Sequence, residues 1–268
     1  MTPKTASTRL DTTFADLAHR DRAAFIPFLS AGYPSPNATP RLLATLAAAG
    51  ADVIELGVPF SDPLADGPTI QHSSQVALEA GTTLEWTLDL IARVGGDLPP
   101  IVLFSYLNPV LRFGVDHFLN RAVEAGVAGL LLTDLPVGSW PELEGRLAGR
   151  RELDLIALIA PTTAAARIDT IAGNGSGFLY YISRLGVTGA RDALDERLAS
   201  GVERLRDRVR LPVAVGFGIS RTDQARQVGQ VADGVVIGSA LIAALGNGEA
   251  AFADLASGLG AAVRTARE

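Results

Sequence analysis

The sequence predicts a single (β/α)8 TIM barrel with an extra N-terminal helix, and three observations lead there. The chain has 268 residues, short for two enzymatic domains and ample for one α/β barrel of about 250 residues. Eight short apolar runs alternate with helix-like segments. The hand-over between them repeats, as AAAGADVIELG (47–57), EAGVAGLLLTD (124–134), AGNGSGFLYYIS (172–183) and GQVADGVVIGS (229–239). Glycine just past a helix supplies a left-handed cap, and a following Val/Ile/Leu/Tyr run reads as a strand buried on both faces.

In chain order, a tail at 1–7 precedes a helix near 8–20. Strands follow at 25–29, 51–56, 100–106, 127–132, 154–159, 178–182, 212–216 and 232–237, with helical segments between most of them. A last helix lies near 249–266. Eight βα units favour a closed barrel over an open doubly wound sheet. Residues 1–268 show no linker or low-complexity segment, so one domain is expected.

Composition narrows the chemistry. Hydrophobic residues make up 48% and charged residues 19%, with formal charge −6. That supports a large core and disfavours nucleic acid as a partner. The chain has no cysteine, which suits a reducing compartment. No signal core and no membrane-length apolar run is evident, so the expected location is cytoplasmic, away from membranes. Of 23 basic residues only Lys4 is a lysine. Imine chemistry needs a lysine of lowered pKa on a rigid element, so a lysine-imine aldolase and a self-contained pyridoxal phosphate enzyme are disfavoured. His19, His72 and His117 are widely spaced, and no metal site is expected.

A barrel places its chemistry where strands end and loops begin. Strand two carries Glu55 inside an apolar run, followed by a Pro/Gly-rich loop with Asp62 and Asp66. An inward carboxylate is either satisfied by a hydroxyl or backbone donor, or is a general acid/base raised by an apolar pocket. Asp62 and Asp66 each have an alternative as turn-forming residues. Together, a carboxylate on a strand and one on a loop fit proton transfer at two substrate atoms. After strands seven and eight come VGFGIS (215–220) and IGSALI (237–242). Gly216 and Gly218 would let the backbone approach a phosphate, and Gly238-Ser239 reads as a hydroxyl-capped helix start. Glycines at such turns also occur for steric reasons alone. The segment 183–192 reads as a lid.

These stretches together resemble the tryptophan synthase alpha chain family. The motifs are FIPFLSAGYP (25–34), GADVIELGVPFSDPLADGPTIQ (50–71), YLNP (106–109), LLLTDLP (130–136), SRLGVTGAR (183–191), VGFGIS and IGSALI. The resemblance implies a lyase that cleaves indole-3-glycerol phosphate to indole and glyceraldehyde 3-phosphate by retro-aldol chemistry, within tryptophan biosynthesis. It implies that Glu55 moves protons at indole C3 and the glycerol hydroxyl, while Asp66 meets positive charge at the indole N–H. Thr188 would orient Asp66. Gly189, Gly218, Gly238 and Ser239 would hold the phosphate, and Phe28, Phe104, Leu131 and Tyr180 would line the indole pocket. No cofactor is implied in this chain. A pyridoxal phosphate-containing beta chain is implied as partner, in a heterotetramer of two alpha and two beta chains, meeting Pro59, Asp62 and Asn108. Phe104-Ser105 departs from the smaller aliphatic and the methionine or threonine often found there. Three other readings stay open: a sugar-phosphate isomerase or epimerase barrel, a free-standing indole-producing lyase, and a non-catalytic activator of a beta chain.

Overall fold

Parallel strands joined by helices run around a ring in this computed structural model, which describes residues 7–150, 152–182, 196–216 and 218–268. The strands are β1 (Ala24–Ser30), β2 (Ile54–Gly57), β3 (Ile101–Ser105), β4 (Gly129–Leu132), β5 (Asp154–Leu155), β6 (Ala157–Ile159), β7 (Leu179–Ile182), β8 (Val213–Gly216) and β9 (Gly234–Ile237). Their order is β5-β4-β3-β2-β1-β9-β8-β7-β6, and every neighbouring pair is parallel.

Two strands stand where one was expected at 154–159. The Ile156 N–H still bonds to the Leu130 carbonyl at 2.9 Å, and then residues 157–159 change partner and pair with β7. At the change, the Ser176 N–H donates to the Leu155 carbonyl at 2.8 Å. The Ser176 hydroxyl in turn accepts the Leu155 N–H at 2.9 Å. β5 and β6 are thus two parts of the barrel's fifth strand, and the nearly closed ring comes together through Ile156.

Side chains alternate as a doubly buried strand requires. Phe25 and Leu29 of β1 pack outward under the helices. Ala24 and Ile26 point inward with Val53, Val102, Leu131, Ile156, Tyr180, Ala214 and Val236.

The N-terminal helix, Arg9–His19, closes the floor. Thr8 and Asp11 form its capping box, which satisfies two otherwise orphaned backbone donors. Its Leu10, Phe14 and Leu17 join the inner cluster, with Phe14 against Phe178 at a ring separation of 5.4 Å. Arg9 ties it to the carbonyls of Leu98 and Gly126. The last helix is Glu249–Arg264.

The glycine hand-over holds in two of its four instances, where Gly50 (φ +89°) and Gly126 (φ +83°) are left-handed. Elsewhere the reason is different. Gly175 caps its helix in an extended conformation, and the left-handed glycine of that stretch is Gly177 (φ +72°), beyond the cap. Gly234 is packed so closely that a Cβ would lie 3.0 Å from both Ala214 and Ile26; space, not backbone conformation, calls for glycine there.

Candidate active site

Glu55 sits at the centre of β2 in register with Phe28 of β1 and Val102 of β3. Val102 points into the barrel, and Glu55, level with it in the ladder, does the same. It is 1% exposed. Among the described residues its Oε1 has no hydrogen-bond partner, so the hydroxyl or backbone donor of the bland alternative is missing at that atom. Burial without compensation disfavours the charged form and raises the Glu55 pKa to about 8. At neutral pH this carboxyl holds its proton.

Asp66 behaves differently. Its half-buried carboxylate accepts a hydrogen bond from the Tyr106 hydroxyl at 3.1 Å. Burial raises its pKa to about 6, and the Tyr106 bond opposes that rise. Near pH 7 Asp66 is therefore mostly ionised while Glu55 is mostly protonated. Both charges also push up the buried Tyr180 phenol, after burial itself, which places all three groups in one neighbourhood. The turn-residue alternative fits Asp62 better: it is exposed, its carboxylate bonds to Ser61, and its carbonyl accepts the Leu64 N–H.

The expected pocket residues gather on the interior wall above the floor. Phe28 and Phe104 meet edge to face at 5.4 Å. Leu131 is the register partner of Phe104, and Leu131 and Tyr180 lie in the inner cluster. Two glycines make room for these rings. A Cβ on Gly57 would come 2.5 Å from Cζ of Phe28, and one on Gly216 would come 2.6 Å from Cζ of Tyr180 and closer to its hydroxyl. Gly216, expected to let backbone approach a phosphate, also makes room for the Tyr180 ring. A cavity of about 570 Å³ opens at the rim beside Leu132, Leu158, Ile182 and Arg167; Glu55 and Asp66 do not line it.

At the end after β8, Gly218 is exposed and left-handed at φ +79°, a conformation in which glycine is strongly favoured. After β9, a helix runs Ser239–Gly246 with Gly238 as its N-cap, and no side chain caps it. Ser239 is thus the first helical residue, and the expected hydroxyl cap is absent. Gly238 lies over Phe28, where a Cβ would be 3.5 Å from the Phe28 Cβ. Thr188 and Gly189 lie outside the described residues, as does the rest of 183–192.

On the outer rim, Asp62 and Asn108 are exposed and Pro59 is buried. Sequence reasoning missed two further features. Tyr106 belongs to the quoted YLNP motif, but its contact with Asp66 spans 40 residues and leaves no local signal. Among the described residues the exposed large hydrophobic side chains are Leu64, Leu111 and Trp140, all in the connections after β2, β3 and β4.

A barrel with a proton-holding carboxyl on one strand, an ionised carboxylate on the following loop and an aromatic wall beside them is an acid–base enzyme of the TIM-barrel class. Comparisons with known proteins narrow the class. The family profile described as tryptophan synthase alpha chain matches residues 14–263. The tryptophan synthase alpha chain of Geobacter sulfurreducens is 49% identical over 235 residues, covering 87% of this chain and 89% of the relative. That of Geotalea daltonii is 50% identical over 235 residues, with coverage of 87% and 89%. Among solved structures, a chain of Mycobacterium tuberculosis tryptophan synthase superposes with a TM-score of 0.87 at 36% identity, covering 97% of this chain and 99% of that one. Tryptophan synthase subunit alpha from Legionella pneumophila gives 0.87 at 34% identity, covering 96% and 99%. The chain belongs to the tryptophan synthase alpha chain family.

Proposed function

We propose that this chain cleaves indole-3-glycerol phosphate to indole and glyceraldehyde 3-phosphate, as the alpha subunit of a tryptophan synthase. The observation that supports it most is the opposite poise of the two carboxyl groups, one near 8 and one near 6. Breaking a carbon–carbon bond without an imine needs an electron sink within the substrate. Glu55 donates its proton to indole C3, and the ring becomes that sink, with positive charge at N1 facing the Asp66 carboxylate. The Glu55 carboxylate then removes the proton of the glycerol hydroxyl next to C3. The C–C bond breaks, its electron pair returns to the ring, indole and an aldehyde form, and Glu55 is protonated again. Rate comes from stabilising the cationic ring more than the substrate.

Phe28, Phe104, Leu131 and Tyr180 would hold the indole. Gly218, Gly238 and Ser239, with Gly189 from the lid, would bind the phosphate through backbone amides, using the dipole of the helix that starts at Ser239. Thr188 would orient Asp66 when the lid closes. The partner would be a beta chain that carries pyridoxal phosphate, in a complex of two alpha and two beta chains. Exposed Leu64, Leu111 and Trp140 follow β2, β3 and β4, as Asp62 and Asn108 follow β2 and β3, and exposed apolar groups suit a docking surface; Pro59 would shape it from below. This favours a partnered subunit over a free-standing lyase. Among the described residues no helix is long and apolar enough to cross a membrane, and the place of action would be the cytoplasm.

The test is indole release from indole-3-glycerol phosphate, with and without a cognate beta chain. Weak activity alone that rises strongly with the partner is expected, and strong activity alone would favour the free-standing lyase. Glu55→Gln and Asp66→Asn should each lower turnover by more than about 100-fold with the fold intact. Wild-type rates from either would overturn the assigned roles.

A further inference from the structure

We infer that Tyr106 is the positioning residue of Asp66: its hydroxyl ties the loop 59–67 to the barrel wall and aims the carboxylate into the site. This rests on the proposed function of Asp66 and adds a residue to it. Tyr106 follows the last residue of β3 and is the N-cap of the helix Leu107–Phe113, so its backbone is held by two rigid elements. The Leu107 N–H is itself fixed by the Asp134 carboxylate at 2.7 Å. The Tyr106 ring is 3% exposed and lies against Phe60 with ring centres 5.1 Å apart.

The direction of the hydrogen bonds follows from counting. A phenol has one proton to give. The Ala65 N–H donates to the Tyr106 hydroxyl at 3.0 Å, and an amide can only donate; the Thr133 side chain also bonds to this hydroxyl and lowers its pKa, as a donor to it does. The phenol proton is therefore free to go to Asp66 Oδ2, 3.1 Å away. One hydroxyl thus grips two consecutive loop residues, the backbone of Ala65 and the side chain of Asp66. The loop's other ties at this point are local, with the Asp66 N–H on the Pro63 carbonyl at 3.1 Å and Gln71 on the Asp66 carbonyl at 2.9 Å. Burial and the Asp66 charge push the Tyr106 phenol well above its ordinary range, so it stays a donor across working pH.

The groups that bear on Asp66 come from several elements. Tyr106 faces it from just past β3, and Tyr180 of β7 responds to both Asp66 and Glu55 of β2. Asp62 shares its loop and is bonded to Ser61, while Asp134, after β4, is taken up by Leu107. Among the described residues no arginine or lysine acts on Asp66. The phenol proton is therefore what offsets the burial of this carboxylate, and a hydrogen bond to the charged form favours it.

The test is Tyr106→Phe, which keeps the ring and its packing on Phe60 and deletes only the hydroxyl. At pH 7 kcat should fall about 10- to 100-fold, the usual scale for losing a bond to a charged group, while KM changes less than about threefold. Losing the bond also raises the Asp66 pKa, so the acidic limb of the kcat profile, expected near 6 in the parent chain from the Asp66 pKa, should move up by about one unit. The alkaline limb set by Glu55 should stay in place, leaving a narrower bell. A kcat loss with an unmoved acidic limb would make Tyr106 a packing residue and overturn the inference, as would wild-type kinetics. If turnover is too slow to follow, a carbon-13 carboxyl titration reads the Asp66 pKa directly, with Asp66→Asn assigning the signal. Asp66→Asn measured for activity beside it separates the two readings. Full activity there would defeat the proposed role of Asp66; an inactive Asp66→Asn with an unshifted Tyr106→Phe profile would defeat only the role of Tyr106.

Discussion

Asp52, just ahead of β2, and Glu55, inside it, are three residues apart and face opposite ends of the barrel. Burial raises the pKa of both. Asp52 has compensation, because its carboxylate accepts the Phe25 N–H at 2.9 Å and lies 3.5 Å from Arg22, and these contacts oppose the shift. Glu55 has burial alone, and rises to about 8. Below, Asp233 accepts the Val213 N–H and bonds to Arg206, and Arg267 lies 3.9 Å away. Above, Asp66 has a phenol and no cation among the described residues. A carboxylate that serves structure is surrounded by donors and positive charge. Glu55 and Asp66, to which the proposed function assigns the proton transfers, are left shorter of them.

Three changes would break or sharpen that contrast. Phe14→Ala, in the floor, should destabilise the fold by about 3–5 kcal/mol and leave kcat of the folded protein unchanged; urea unfolding and assay of one preparation measure both. An equal loss of kcat would show that floor and site are coupled. Glu55→Gln should change how stability depends on pH. An unfolded glutamate releases its proton near 4.5, whereas Glu55 keeps it to about 8. Between those values the folded state binds more protons, so this group's contribution to stability falls as pH rises, by up to about 1.4 kcal/mol per unit. Glutamine has no proton to lose, and unfolding at pH 5, 6.5 and 8 should show a flatter line for the variant. A slope equal to wild type would mean that Glu55 ionises inside the fold as easily as outside it. Leu64→Ser, on a side chain 94% exposed, should alter stability by less than about 0.5 kcal/mol and leave basal turnover alone, while weakening activation by a beta chain. Unaltered activation would remove Leu64 from the docking surface.

Much of this was legible in the sequence because it is local. The eight apolar runs report burial on both faces whatever their neighbours. The extra helix, expected near 8–20, is held by local features, the Thr8–Asp11 capping box and the face of Leu10, Phe14 and Leu17. Glu55 stands out since a charge within such a run has few places to go. What stayed hidden depends on distant contacts. The expected strand at 154–159 is interrupted because its two halves bond to different neighbours, and that depends on β4, β7 and Ser176. Gly216 looks like any glycine at a strand end until the Tyr180 ring is seen beside it. Several strands also begin later than expected. Asp52, Ala128 and Asp233 already bond to the neighbouring strand through their N–H groups, yet they serve as lead-in turns before the regular ladder starts.

The interrupted fifth strand bears on how this protein avoids sticking to itself. A strand with unpaired backbone groups is a template for another chain, and ring closure removes such templates. If the ring opens, the place where its two halves meet is Ile156. Because Ile156 joins β5 to β6 covalently, opening there means unpairing β5 from β4 or β6 from β7, and the fifth-strand segments involved are two and three residues long. The fifth strand's own halves are thus too short to template much pairing, and the two Ser176 bonds to Leu155 hold the junction between them.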